Sequence, residues 1–196
     1  MNGDLKYAYF DGSSWEIATI DSEGDVGSEA SIALDSSDRP HISYRGGADS
    51  DLKYAYYNGS SWDIEIVDGE GNVGGWTSIA LDSTDHPHIS YLDWSHNGIK
   101  YAYFNGSSWD IDTIDTEVSA DTSIALDSSD LPHISYSDVT NGDLKYAKWN
   151  GLSWTIGSVD TDGIGWFTSI ALDSNDKPHI SYYDYINGDL KYAWGE

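Results

Sequence analysis

The sequence predicts an all-β fold in which one antiparallel four-stranded unit of about 47 residues recurs roughly four times along the 196-residue chain. Three observations carry that prediction. Four kinds of segment return in fixed order at that period. Each segment is short, alternating, rich in Tyr, Ile, Trp and Thr, and bounded by Gly, Asn, Asp and Ser, which is the pattern of a strand between turns. No segment reads as a helix.

The first segment, Leu5-Lys6-Tyr7-Ala8, returns at Leu52, Ile99, Leu144 and Leu190. The second begins at Trp15 and returns at Trp62, Trp109 and Trp154. The third, Ser31-Ile32-Ala33-Leu34, returns at Ser78, Ser123 and Ser169, and the fourth, Pro40-His41-Ile42-Ser43-Tyr44, at Pro87, Pro132 and Pro178. Successive strand residues point to opposite faces, so Ile32 and Leu34 make one bulky face and Ser31 and Ala33 a small one. Such a wedge suits the crowded axis of a radial array, and the third segment is assigned as the innermost strand, a. The fourth is then b, the first c and the second d. Turn chemistry agrees: the run Asp35 to Pro40 puts an Asx-type turn and a strand-opening proline between a and b, and Asp11-Gly12-Ser13 closes c onto d. The d-to-a stretch, Asp68 to Trp76, is the longest connection.

These residues predict a β-propeller of about four blades, a single domain over 1–196 with repeats near 5–51, 52–98, 99–143 and 144–189 and a terminal strand at 190–196. The strand order resembles the NHL-type blade, and the Tyr-rich c strand followed by Asn58-Gly59-Ser60-Ser61-Trp62 resembles blades of fucose-binding bacterial propeller lectins. That resemblance implies the propeller fold and, as a function, carbohydrate recognition. Strand c occurs five times and a, b and d four times each, seventeen strands in all. Either the termini share one blade, with two c strands competing for one slot, or two chains combine into a larger ring. The run Met1 to Asp4 resembles the later linker Asn141-Gly142-Asp143, as if the array were cut inside a repeat.

Composition narrows the partners. With 9 Lys+Arg against 34 Asp+Glu the formal charge is −25, so nucleic acid faces a repelling surface with few cations to release counterions. No apolar run is long enough for membrane insertion. There is no cysteine to form a disulfide. The predominance of Asp is first a matter of turn chemistry, and adaptation to salt is the alternative reading. An extracellular or cell-surface location is expected.

Strands alternate direction, so the b-to-c and d-to-a loops share one face, which is expected to carry function. On it the repeats differ at Arg45, Trp76, Trp94, His96, Trp166, Phe167, Tyr183 and Tyr185, and aromatic rings there can stack on a sugar while Asp and Asn take its hydroxyls. Plugging the gap between blades is the competing role for Trp76 and Trp166. Trp15, Trp62, Trp109 and Trp154 are expected in the core. The four histidines His41, His88, His133 and His179, each with a serine two residues on, are expected to satisfy hydrogen bonds between blades rather than bind metal. Asp21, Glu23, Asp25, Asp160 and Asp162 are spaced as calcium-loop oxygens can be, but the glutamate that ends an EF-hand loop is missing and the Asp115-Thr116-Glu117-Val118-Ser119 loop breaks the spacing. No cofactor is expected, and calcium is the alternative. Nothing marks a nucleophile elbow or phosphate loop. A non-enzymatic module that binds carbohydrate or another small ligand is the leading expectation, a structural or adhesion repeat of a larger surface protein the alternative, with self-association into a ring as a further partner reading.

Overall fold

A computed structural model describes residues 3–47, 50–116, 121–163 and 165–195. Strands β1 (Leu5–Phe10) and β2 (Trp15–Asp21) form a two-stranded sheet. The first full sheet is β3 (Val26–Leu34), β4 (Pro40–Gly46), β5 (Asp51–Tyr57) and β6 (Trp62–Asp68), hydrogen-bonded in that order. The second is β7 (Gly75–Leu81), β8 (Pro87–Asp93), β9 (Gly98–Phe104) and β10 (Trp109–Thr116), and the third is β11 (Thr122–Leu126), β12 (Pro132–Asp138), β13 (Asp143–Trp149) and β14 (Trp154–Asp160). The last sheet has three strands, β15 (Gly165–Leu172), β16 (Pro178–Asp184) and β17 (Asp189–Trp194). All pairings are antiparallel, and the a-b-c-d order expected from sequence is the observed one.

Neighbouring sheets meet through their a strands, β3 against β7, β7 against β11 and β11 against β15. The core lies between sheets rather than inside one. Leu52 and Tyr54 of β5 are buried with Ile79, Ile89, Tyr91 and Ala102 of the second sheet and with Val73 of the connection that leads into it, and Ala33 of β3 packs against the same cluster. The small face of one a strand thus receives the bulky face of the next, as the Ser-Ile-Ala-Leu wedge predicts. The cluster recurs with Ile99, Tyr101, Ile124 and Ile134, and again with Leu144, Ile170 and Ile180.

Two expectations need correction. The terminal strands do not share a blade: β1–β2 and β15–β17 are separate, incomplete sheets. The repeated tryptophans are not interior either. Trp62, Trp109 and Trp154 are half-buried, and Trp15 is 68 % exposed. Strand d is the outer edge of its sheet, so its tryptophan covers the rim of the interface instead of filling it. Each one packs edge-on against the c-strand tyrosine of the preceding sheet, Trp62 on Tyr7 at 5.5 Å, Trp109 on Tyr54 at 5.3 Å and Trp154 on Tyr101 at 5.2 Å, a contact type that contributes about 1 kcal/mol beyond area burial. Trp15 has no preceding sheet to cover.

One irregularity organises every interface. Near the end of each c–d pair the register slips, with Leu52 opposite Asp68 but Lys53 opposite Ile66, so Val67 is an extra residue. The same bulge follows Leu5 in β1 and Leu144 in β13 and falls between Thr113 and Asp115 in β10. A bulge breaks strand alternation. Here it lets Val67 and Asp68, adjacent in sequence, both be buried.

Candidate functional site

The bulge places one aspartate per interface where two groups of the following sheet converge. Asp68 Oδ2 accepts from Tyr91 Oη at 2.7 Å and from Lys100 Nζ at 2.7 Å. Asp115 does so from Tyr136 and Lys145 at 2.8 and 2.9 Å, Asp160 from Tyr182 and Lys191 at 2.6 and 3.0 Å, and Asp21 from Tyr44 at 2.8 Å and from Lys53. Burial pushes the Asp68 carboxyl up, yet the Lys100 ammonium, the Tyr91 hydroxyl and the Glu70 N–H together hold it below its ordinary value. Burial with the nearby Asp160 pushes the Tyr182 phenol up to about 12. Two of the acids spaced like calcium ligands, Asp21 and Asp160, therefore already hold an ammonium each. Asp25 accepts the Gly3 N–H at 2.9 Å, while Glu23 and Asp162 donate their backbone N–H groups to Asp21 and Asp160. Residues 117–119 of the third such loop lie outside the described residues.

The four histidines sit in a second repeated chain. Tyr101 Oη and His88 Nδ1 share a hydrogen bond at 2.6 Å, and the Nε2 side faces Asp82 at 3.6 Å. Tyr146, His133 and Asp127 repeat this at 2.6 and 3.4 Å, and His41 and His179 pair with Tyr54 and Tyr192 in the same way. The serines two residues on bridge the interfaces: Thr77, Thr122 and Thr168 donate to Ser43, Ser90 and Ser135 at 2.7, 2.9 and 2.7 Å. Burial drives His88 down to about 4, against the pull of Asp82, so it is neutral at pH 7.

On the loop face the structure gathers five of the eight residues singled out there. Trp166 stacks on Tyr185 with centroids 5.5 Å apart, Phe167 lies 5.9 Å from Trp166 and 6.5 Å from Tyr183, and Tyr183 meets Tyr185 at 6.5 Å. Trp76, from a sheet that is not the neighbour of β15, reaches Phe167 at 6.5 Å. Trp76 and Phe167 occupy the same repeat position at the mouth of the axis, both in the left-handed region with φ of 48° and 53°. Non-glycine residues are uncommon there, and such strain clusters at functional sites. The Trp76 N–H is held by Glu29 Oε2 at 2.7 Å, and the buried Asp121 takes the Thr168 N–H. Burial raises the Asp121 carboxyl above its ordinary value, opposed by the N–H groups and the Ser137 hydroxyl aimed at it. Phe167 and Tyr185 are each 59 % exposed and Trp76 37 %, so the platform faces solvent.

The other candidates stand apart from it. The Arg45 guanidinium lies 4.5 Å over the Trp94 ring and bonds Asn72 at 2.8 Å, while the six-membered ring of Trp94 lies so close to Gly75 that an added Cβ would fall 2.2 Å from it. Trp94 is thus a plug between backbone and guanidinium. His96 closes a b-to-c turn on Asp93, as Asn141 does on Asp138 and Asn187 on Asp184.

The opposite face carries a feature that was not anticipated. Between successive sheets open four clefts of about 420, 530, 340 and 640 Å³, each beside the residue that precedes the b-strand proline: Arg39, His86, Leu131 and Lys177. The widest variation in a turn that otherwise keeps the pattern Asp-Ser-x-Asp-x-Pro, at the residue before the proline, was the sequence signal for them.

A scan against protein-family models finds no match, and a search of curated proteins finds none. Solved structures do match. A mutant of the Aleuria aurantia lectin in complex with Fucα1-6GlcNAc aligns with a TM-score of 0.65 and 18% identity over 98% of this chain and 70% of its own. An ulvan lyase bound to a glucuronate–sulfated rhamnose unit aligns at 0.64 with 14% identity over 94% of this chain and 55% of that one. The intramolecular trans-sialidase of Ruminococcus gnavus, with oseltamivir carboxylate, aligns at 0.58 with 14% identity over 95% of this chain, which spans about half of that protein (48%). The repeated four-stranded sheets packed face to face through their a strands, and the likeness of the whole arc to a lectin of this architecture, make the fold that of a β-propeller.

Proposed function

We propose that this chain is a non-enzymatic carbohydrate-binding module whose loop-face platform stacks sugar rings. One observation carries the reading: Trp76, Trp166, Phe167, Tyr183 and Tyr185, supplied by two sheets that are not neighbours, converge into one continuous, solvent-facing aromatic surface at the axial mouth. Aromatic faces of this kind suit the C–H face of a pyranose, and the acids around them suit its hydroxyls. The fold shared with a lectin crystallised with a fucosylated disaccharide supports the same class of ligand. The non-enzymatic part rests on the four bulge aspartates, Asp21, Asp68, Asp115 and Asp160, which hold lysine and tyrosine rather than stand ready for proton transfer.

A glycan array tests this. The parent chain is expected to bind neutral glycans, with binding unchanged by a chelator and weakened at least tenfold by Trp166→Ala, while Trp94→Ala leaves it intact. Absence of binding to any glycan, or equal loss in both variants, refutes the assignment.

A further inference from the structure

We propose that the cleft between the second and third sheets is a binding site for a primary alkylammonium ion, separate from the aromatic platform on the loop face. Two observations support it. The cleft, of about 340 Å³, has aromatic walls and charges of one sign, and a buried imidazole nitrogen on its wall has no hydrogen-bond partner.

Asp82, Asp110 and Asp112 line the cleft from the second sheet and Asp130 from the third. Among the described residues no lysine or arginine pairs with any of these four carboxylates, and Asp82 meets only imidazoles, His86 at 3.5 Å and His88 at 3.6 Å. Acids gathered on low-dielectric walls concentrate a field that draws in a cation. The neighbouring clefts show what is missing. Their turn residues bring a guanidinium at Arg39, an imidazole at His86 and an ammonium at Lys177, where this one has Leu131. Strand c repeats the difference. Lys148 stands opposite His133 in the third sheet and its Nζ lies 3.8 Å from Asp127, the counterpart of Asp82. The same register position in the second sheet, opposite His88, is Tyr103. The last cleft thus carries, on a four-carbon stem of its own chain, the ammonium that the second-to-third cleft lacks.

His88 is 4 % exposed, and its Nε2 forms no hydrogen bond. Buried polar atoms are almost always paired. With the imidazole proton on Nδ1, donated to Tyr101 Oη, Nε2 is an acceptor beside the Asp82 carboxylate, and the N–H groups of an ammonium seated on Asp82 supply its missing donor. A second orphan lies at the same interface. Trp109 Nε1 donates to Glu65 Oε1 at 3.1 Å between the first and second sheets, but the counterpart of Glu65 is Asp112, one methylene shorter, and Trp154 Nε1 is left unpaired. The Asp112 carboxylate, unlike that of Glu65, is therefore not taken up by the tryptophan.

The walls select an ion with an apolar stem. Tyr101, Tyr103 and Trp149 offer ring faces that attract a cation, and Leu131 and Pro132 take its hydrocarbon. A bare divalent ion is a poorer fit, because no three carboxylates or imidazoles of the described residues gather to ligate one. A quaternary ammonium has no N–H to give Asp82 or His88.

Titration of the full chain with n-butylammonium, 1-butanol and Nα-acetyl-lysine amide, followed by the nitrogen signals of the His88 ring in NMR spectra, tests the site. Butylammonium is expected to shift Nε2 saturably at millimolar concentration, with 1-butanol and potassium chloride at equal concentration leaving it in place. No shift, or the same shift with 1-butanol or potassium chloride, overturns the proposal. Leu131→Lys, which installs a basic group as Lys177 does in the last cleft, is expected to weaken butylammonium about tenfold without lowering the melting temperature. Asp112→Asn, at an exposed position, is expected to weaken it several-fold. Unchanged affinity in both variants also overturns the proposal. Binding of the lysine amide alongside butylammonium supports a lysine side chain of a partner as the source of the ammonium, and its exclusion supports a free amine.

Discussion

At the scale of single residues, the interfaces run on charges and imidazoles held out of water. Four aspartates that a period-two reading leaves in solvated loops are instead interior partners of lysine and tyrosine. The reason is one extra residue: a bulge flips every side chain beyond it, and alternation in the sequence carries no mark of where it falls. The expectation that histidine and serine together bond between sheets holds for the serines alone: each histidine instead bonds a tyrosine thirteen residues on and faces an aspartate six residues before it, both in its own sheet. His88 sets a pH dependence whose sign is fixed. Its folded value near 4 lies below the 6.5 of a free imidazole, so on acidification the unfolded chain takes up the proton first. The stability held by a neutral His88 is complete above about pH 6.5 and is lost progressively down to about pH 4. Carboxylates held below their ordinary value, such as Asp68, act further down the scale. Denaturant midpoints are expected to fall between pH 7 and pH 4, with His88→Gln removing part of that slope, on the order of 2–3 kcal/mol over the window. A variant with the parent's slope contradicts the burial argument.

At the scale of elements, strand order was readable because each strand carries its own punctuation, proline opening β4, β8, β12 and β16 and an Asx turn closing β3, β7, β11 and β15. The depth of the d strands was not readable. Tryptophan at a fixed place in every repeat reads as core, but an outer strand offers only one partner sheet, and the end copy has none. The entry to strand a rests on a backbone approach that only glycine allows. Gly74 has φ of 77°, and a Cβ on it would lie 2.7 Å from Leu52 Cα, whereas Gly59, with φ of 97°, has open space around it. Gly59→Ala carries the cost of backbone strain alone, about 1 kcal/mol, and Gly74→Ala adds forced separation of two sheets, about 2–4 kcal/mol in all. Thermal melts of the two variants side by side check this, and equal losses would show that the sheets do not press on that glycine.

At the scale of the whole molecule, the fold class was legible because the repeat reports it many times over, while closure was not, since a repeat says nothing about the angle between its copies. The loop-face platform was half legible. Trp76, Trp166, Tyr183 and Tyr185 stood out as departures from the repeat, but their convergence depends on two sheets meeting across the axis, a distance no local pattern encodes. The charge of −25 acts at this scale too. The pairs at the interfaces are largely shielded from added salt, and most other acids face water, so self-repulsion is the component that salt removes. The melting temperature is expected to rise steadily from about 0.1 M to about 1 M potassium chloride, as the screening length falls from ~10 Å to ~3 Å. A flat response would place the acids in local turn bonds alone.

The turn residue before each b-strand proline has a consequence of a different kind. Arg39, His86, Leu131 and Lys177 present a guanidinium, an imidazole, an isobutyl group and an ammonium from one scaffold position into four separate hollows. The aspartate that shapes the turn accepts the backbone N–H of this residue in all four repeats, whereas the side chain reaches that carboxylate only at Arg39, whose Nε donates to Asp35 at 2.6 Å, and at His86, 3.5 Å from Asp82, so the side chain can change while the bend stays. The array thereby separates what must be copied from what can diversify, and a lineage that duplicates such a unit acquires a new chemical address with each copy while the architecture stays still.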